Sequence, residues 1–551
     1  MSDDPNLPTD EGELDNPPSS EATPGAVPLG FHNLPRRQVF ITLGGVLLAM
    51  FLSALDQTVV GTALPKIIAD LKGFEHYTWV ATAYLLTATI MMPIVGRLTD
   101  MYGRKWFYIA GIIIFLIGSA LCGLSQSMTQ LIFFRGFQGI GAGIMMANAF
   151  IVIGDLFPPS ERGKYQGLIV AVFGLSSIVG PLLGGFITDN ISWHWIFYIN
   201  LPLGIPVVLA FIRFFPDVRP LQVKHKLDFL GMAALVLCIS PLIIGLSWAG
   251  SEYEWQSPQV IGALSLSAVM LMAFILVESR AAEPVMPLAL FRSRTVIVAV
   301  IVRFCIGMGM FGIILFVPLF FQGVLGRSAT YSGTLLMPQM LAMVIASTLS
   351  GQAVARLGGH YRIQAIIGLA IMAAGLFLLS FMSPHTSHGR AILAIVVTGT
   401  GMGIAMPLFV IAVQNDVPYR VMGVATSSVQ FFQSIGQAVG LAVFGSMMAG
   451  RFTANVMGNE TIAQLGLPQE LLSRITSNPE ALMSESARAE LRATLGPELA
   501  EQFLGLVKGD LSTAITYVFT IGAAVIVVAF LTTFFLKEHP LKRSHGAGHV
   551  E

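Results

Sequence analysis

Residues 39–65 read VFITLGGVLLAMFLSALDQTVVGTALP, and the fold turns on how such a run is solvated. A helix needs about 20 apolar residues to cross a hydrocarbon core. This run exceeds that length and carries a single charge, Asp56. Thirteen further runs of the same kind begin near residues 78, 106, 130, 166, 195, 228, 258, 295, 331, 363, 390, 423 and 514. The chain as a whole fits this reading. Of its 551 residues 54% are hydrophobic and 11% charged, against roughly a quarter charged in soluble domains. The mean hydropathy is +0.74. So low a charged fraction excludes a nucleic-acid binder, whereas the 31 basic and 31 acidic residues cancel and net charge says nothing about partners. Cys122, Cys238 and Cys305 all lie in apolar runs, which supports neither a disulfide framework nor a zinc site. The expectation is an all-α polytopic protein with fourteen transmembrane helices.

An even number of spans puts both termini on one side, and lysine and arginine say which. With a cytoplasmic N-terminus, the inward segments collect 20 of the 31 basic residues, from Arg36 and Arg37 to Lys542 and Arg543, whereas the short outward loops hold Lys66, Lys72, Arg327 and Arg390. Residues 1–34 are acidic and proline-rich, which predicts a disordered cytoplasmic tail and no signal peptide. Residues 450–513 interrupt the apolar pattern with mixed-charge, helical composition. They predict an extracytoplasmic cap or an amphipathic helix pair on the membrane surface.

A weak internal repeat organises the spans. GRLTDMYGRK at 96–105 returns as GQAVARLGGH at 351–360, which sets Gly96 on Gly351 and Gly103 on Gly358. An offset of 260 carries Gly139, Gly141 and Gly143 onto Gly399, Gly401 and Gly403, Gly163 onto Gly423, and Gly180 onto Gly440. Two related six-helix bundles follow, at 35–220 and 286–537, with two inserted helices at 221–285 and a short cytoplasmic tail at 538–551. Parallel repeats about an axis along the membrane normal are a transporter architecture, with the substrate held where the halves meet.

A charge deep in a membrane costs about 2.5–3.5 kcal/mol on insertion scales and is by default a functional candidate. Three stand well inside: Asp56, Arg135 and Arg303. Ser53, Asp56 and Gln57 share a helical face that belongs toward a cavity. Desolvation favours the uncharged acid, so Asp56 is a candidate proton carrier; a carboxylate paired permanently with a buried arginine is the competing role. Arg135 shares a face with Gly139 and Gly143, with Gln138 beside it, and could bias a nearby acid. Arg303 could pair with Asp56, meet an anionic substrate group, or snorkel toward the cytoplasmic surface. Gln430, Gln433 and Gln437 make an uncharged polar stripe that either lines a cavity or bonds between helices. Gly180, Pro181, Gly184 and Gly185 form a close-packing face with a possible bend. In the loop at 96–105, Arg97, Asp100 and Arg104 between Gly96 and Gly103 could latch one conformation through charge-assisted pairs.

These segments resemble the major facilitator superfamily, in particular its 14-span drug:proton antiporters. The resemblance rests on LDQTVVGTALP (55–65), GRLTDMYGRK (96–105), RGFQGIGAG (135–143), SSIVGPLLGG (176–185) and WHWIFYINLPLG (193–204), and it covers residues 36–537. It implies the major facilitator fold. It also implies proton coupling at Asp56 with Arg135 and Gln138, a cytoplasmic gate at Gly96, Asp100, Gly103 and Arg104, and an antiporter motif at Gly180, Pro181, Gly184 and Gly185. Ser176, His194 and Ala355 depart from the family pattern, and the last removes the acid from the second-half loop. The expected activity is export of a small amphipathic or hydrophobic compound against protons, by a monomer in the plasma membrane, with a lipid or glycolipid as the alternative cargo. The proton gradient drives it without a cofactor. No nucleophile, metal or nucleotide motif points to an enzyme.

Overall fold

The computed structural model describes residues 34–71, 77–217, 226–250, 252–327, 329–356, 359–464, 492–493 and 496–540. Fourteen long helices account for most of them: α1 (Arg36–Leu71), α2 (Tyr77–Tyr102), α3 (Lys105–Gly123), α4 (Met128–Leu156), α5 (Pro159–Asn190), α6 (Trp195–Phe214), α7 (Phe229–Trp248), α8 (Pro258–Arg280), α9 (Arg294–Leu319), α10 (Ala329–Arg356), α11 (Tyr361–Ser380), α12 (His388–Asp416), α13 (Met422–Gly458) and α14 (Pro497–Thr533). Thirteen are long and apolar enough to cross a membrane, and α10 adds 28 residues of the same shape. All fourteen expected spans are present. The outer surface is apolar, with Phe133, Leu182, Phe229 and Met272 more than half exposed. A surface of that kind requires hydrocarbon as its solvent.

Local chemistry sets the helix ends. Ser127, Ser257 and Ser293 cap α4, α8 and α9 by accepting from backbone N–H groups three residues on, and Asp228 does the same for α7. Pro258 and Pro497 open α8 and α14, where the missing N–H is harmless.

Packing follows the repeat. In the first half α1 packs on α4, α5 and α6, α2 on α4, and α3 on α4 and α6. Adding eight to every label gives the second half: α9 on α12, α13 and α14, α10 on α12, and α11 on α12 and α14. The innermost stretches repeat as well. Ala147–Leu156 of α4 is buried without interruption, and so is Pro407–Asn415 of α12, at the same offset of 260. Two seams join the halves, α2 against α13 and α5 against α10. The inserted α7 and α8 pack on each other, tied by Ser267 Oγ donating to the Cys238 carbonyl at 2.8 Å, and lean on α2 and α13 through α7.

The centre of the stretch at 450–513, where a cap or an amphipathic helix pair is expected, lies outside the described residues, but its two ends continue neighbouring spans. α13 continues to Gly458 and α14 already begins at Pro497. At 1.5 Å per residue each of these 37-residue helices is about 55 Å long, well beyond the roughly 30 Å of a hydrocarbon core. The extensions pack together by burying Phe452, Val456, Phe503 and Val507, and Asn459 Nδ2 donates to Asp510 Oδ2 at 3.1 Å. The terminal tails at 1–33 and 541–551, the centre of the 450–513 segment, and Gly358 lie outside the described residues.

Candidate functional site

The three deep charges do not meet in one place. Asp56 and Arg135 form an ion pair inside the first half, at 1% and 2% exposure. Arg135 Nη1 donates to Asp56 Oδ2 and, at 2.8 Å, to Gln138 Oε1. Gln138 Nε2 donates to Asp56 Oδ1 at 2.9 Å, and Asn200 Nδ2 reaches the same oxygen at 3.2 Å. Arg135 Nε donates to the Val80 carbonyl at 3.4 Å, and the guanidinium lies over the Tyr84 ring, 4.2 Å from its centre. Three helices meet at the carboxylate, α1 supplying it, α4 the arginine and glutamine and α6 the asparagine, while α2 stacks the Tyr84 ring on the arginine. α3 joins through Ser119, which accepts from Asn200 at 2.9 Å.

This corrects the expectation that Asp56 looks into an open cavity with Ser53 and Gln57. Ser53 is buried against the Tyr84 hydroxyl at 3.0 Å, and Gln57 is half-buried. The polar face of α1 turns inward because Arg135 and Tyr84 supply partners there that an apolar interior otherwise lacks. Asn200, Ser119 and Tyr84 were not singled out from sequence; an asparagine in the apolar run FYINLPLG was the one available signal.

Arg303 pairs with neither Asp56 nor the surface. Its Nη1 donates to the Met406 carbonyl of α12 at 3.0 Å and its Nη2 to Gln430 Oε1 of α13. Snorkelling is overruled because the side chain is 1% exposed and bound at mid-helix. Of the glutamine stripe, Gln433 is buried and Gln437 Nε2 reaches Met310 Sδ at 3.7 Å.

A second constellation closes one end of both seams, at the face rich in basic residues. Asp100, at the end of α2, accepts from the N–H groups of Gly423 and Val424 at 3.1 and 2.8 Å, in the first turn of α13. There the partial positive charge of the helix terminus adds to the bonds. Arg104 Nη2 donates to Asp100 at 2.6 Å and its Nε to Asp155 at 3.0 Å. Burial works against the Arg104 charge, but Asp100 and Asp155 more than offset that and raise its pKa above the ordinary guanidinium range. Gly103 makes the turn with φ of 92°, where a Cβ is strained. Gly96 sits against Ser427 and the Gly423 carbonyl, leaving no room for a side chain. Arg97 approaches Glu283, beyond α8, at 3.8 Å.

Beside the other seam Arg162 of α5 donates to the Gln414 carbonyl of α12 at 3.3 Å, and Gln166 Nε2 to Gln414 Oε1 at 3.2 Å. The glycine face of α5 divides in two. Gly180 and Gly184 pack on Thr58 and on Thr62 with Val59 of α1, whereas Gly185 faces open space and Pro181 leaves α5 continuous from Pro159 to Asn190.

The sequence profile of the Major Facilitator Superfamily matches residues 46–441. The chain belongs to the major facilitator superfamily. Among its relatives, the multidrug transporter protein MdtP of Bacillus subtilis (strain 168) is 40% identical over 518 residues, covering 93% of this chain and 94% of that one. Multidrug resistance protein 3 of the same organism is 37% identical over 503 residues, covering 91% and 96%. The solved structure of the human organic anion transporter MFSD10 superposes with a TM-score of 0.59 at 14% identity, over 91% of this chain and all of that one. That last likeness concerns the fold. As a major facilitator protein, the chain is a multi-pass membrane protein.

Proposed function

We propose that this protein is a proton-driven exporter of small amphipathic or hydrophobic compounds in the plasma membrane, working as a monomer with the basic face toward the cytoplasm and using no cofactor. The observation that carries the reading is the Asp56 network: one deeply buried carboxylate on α1, met by three donors from α4 and α6. The multidrug names of relatives aligned over nearly the whole chain support the cargo class.

Protonation of Asp56 would turn an acceptor into a donor that faces donors. The Asn200 Oδ1 is buried without a partner, so turning that amide would let it accept the new proton. Arg135 would then lose its counter-ion, and α1, α4 and α6 would repack. The proton thus favours one arrangement of the first half and the ionised acid the other, which is the differential affinity that coupling needs. Each proton moving down a 100 mV potential supplies about 2.3 kcal/mol. In this scheme Asp100, with Gly96 packed on Gly423 and Gly163 on Gly351, would hold the cytoplasmic side shut. Transport by reconstituted protein under an imposed pH gradient, with and without Asp56→Asn, tests the scheme; unchanged energised transport by the variant would refute it.

One observation favours a lipid or glycolipid cargo on the same scaffold. The extensions of α13 and α14 carry a packed apolar seam past the length that a hydrocarbon core needs. Shortening both by three turns would abolish lipid movement under this reading and spare drug movement.

A further inference from the structure

We propose that Arg303 and Gln430 form an anion subsite, so that the preferred cargo carries a carboxylate or similar anionic group. The inference rests on the exporter reading and specifies its substrate class. Well inside the spans stand two guanidiniums and one carboxylate. Asp56 is spent on Arg135, and no carboxylate lies within 4.0 Å of Arg303 among the described residues. A guanidinium stays protonated at neutral pH, so Arg303 is a fully buried positive charge held by two neutral acceptors, the Met406 carbonyl and the Gln430 amide.

The pattern of bonds says where the missing anion belongs. Nε and Nη2 share one edge of the guanidinium, the edge that meets a carboxylate or phosphate through two parallel bonds. In this structure Nη2 is taken by Gln430 Oε1, and Nε is buried with no partner at all. A neutral amide oxygen fills one half of a two-pronged anion site, and the other half is bare. Gln430 is half-buried, so its side chain borders accessible space and can withdraw. Arg303 lies on α9 and its acceptors on α12 and α13, and α13 also forms the seam with α2. An anion seated here would therefore bear on the contact between the halves.

A simple organic cation has no equivalent place. The oxygens of Asp56 are occupied by Arg135, Gln138 and Asn200, and a cation beside Arg303 would be repelled. Zwitterions and amphipathic anions fit better than permanent cations.

The test compares rhodamine B, which has a free carboxylate, with its ethyl ester, which differs by losing that charge. Binding to the full chain purified in detergent is read by fluorescence anisotropy. The wild type is expected to hold the free-carboxylate dye about tenfold tighter or more, the size of a charged hydrogen bond to a buried group. Arg303→Gln brings the ratio to about one, and Arg303→Lys, which keeps the charge but lacks the fork, leaves an intermediate preference. Affinity for the ester that is kept, or raised because Arg303→Gln relieves repulsion of its cation, shows that the variants fold. Equal affinities in the wild type, no binding of the free-carboxylate dye, or a ratio that survives Arg303→Gln would overturn the proposal. Failure of the exporter reading would look different: the binding ratio would persist while neither dye moved under a pH gradient.

Discussion

Gly163 of α5 and Gly351 of α10 meet backbone against backbone, so that a Cβ on Gly163 would stand 2.6 Å from the Gly351 carbonyl oxygen. The repeat carries Gly163 onto Gly423 and Gly351 onto Gly96, and those two glycines face each other in the opposite seam. The same pair of positions thus closes both seams, related by the exchange of halves. One seam adds Asp100 at the start of α13; the other has Ala355 where the repeat would place the acid, and beside it Arg162 and Gln166 tie α5 to Gln414 of α12.

Gly163→Val should force the α5–α10 seam apart. Overpacking of this kind costs about 1–3 kcal/mol, which displaces a two-state equilibrium roughly 5- to 150-fold. The readout is the thiol-labelling rate of Ser427→Cys, placed in the closed seam of a protein whose three native cysteines are replaced. Faster labelling is expected if opening the α5–α10 seam also opens the α2–α13 seam that holds Ser427; an unchanged rate would mean that the two seams do not separate together.

Asp100→Asn should loosen the other seam by about 1–3 kcal/mol, since a charged acceptor at a helix N-terminus becomes a neutral one. The same labelling assay applies, and the double variant with Gly163→Val should exceed either single change.

The Arg104 side of this latch should not respond to alkaline pH. Its folded-state pKa is raised above its unfolded value, so its contribution is complete below the unfolded pKa and is lost only as pH rises through the still higher folded one. Labelling of the seam, divided by the rate of a solvent-exposed cysteine to remove the thiol's own ionisation, is expected to stay constant from about pH 7 to pH 10. An alkaline opening in that window would exclude Arg104 as the holding charge.

The glycines of α5 should differ sharply in their tolerance. Gly180→Ala and Gly184→Ala press a methyl group on α1 and should destabilise by about 1–3 kcal/mol, whereas Gly185→Ala enters open space and should stay within about 0.5 kcal/mol. Thermal unfolding of the three variants in one detergent decides it.

Asp56→Asn leaves Arg135 as an unpaired buried charge and should cost about 3–5 kcal/mol. Adding Arg135→Gln should recover most of that, because a neutral pair needs no counter-ion. Melting temperatures of the single and double variants measure the coupling.

Much of this was legible beforehand because membrane solvation is a blunt constraint. Apolar length marks a span, and the glycines at 96, 163, 351 and 423 revealed the repeat before any contact was visible. Partner choice was not legible. Asp56, Arg135 and Arg303 were each recognisable as costly, but which of them meet depends on how α1, α4 and α9 pack, and span positions do not encode that. Asn200 and Ser119 escaped because single neutral polar residues in apolar runs are common. The early start of α14 escaped because residues 497–513 are too polar to read as a span, yet they continue its helix beyond the hydrocarbon.

The most direct test of proton coupling uses proteoliposomes containing the Asp56→Asn, Arg135→Gln double variant, which avoids a stranded charge. Rhodamine B movement is followed with and without an imposed pH gradient. The account predicts that the wild type accumulates dye against its gradient, while the double variant only equilibrates it. Accumulation by the double variant at the wild-type level would contradict the account.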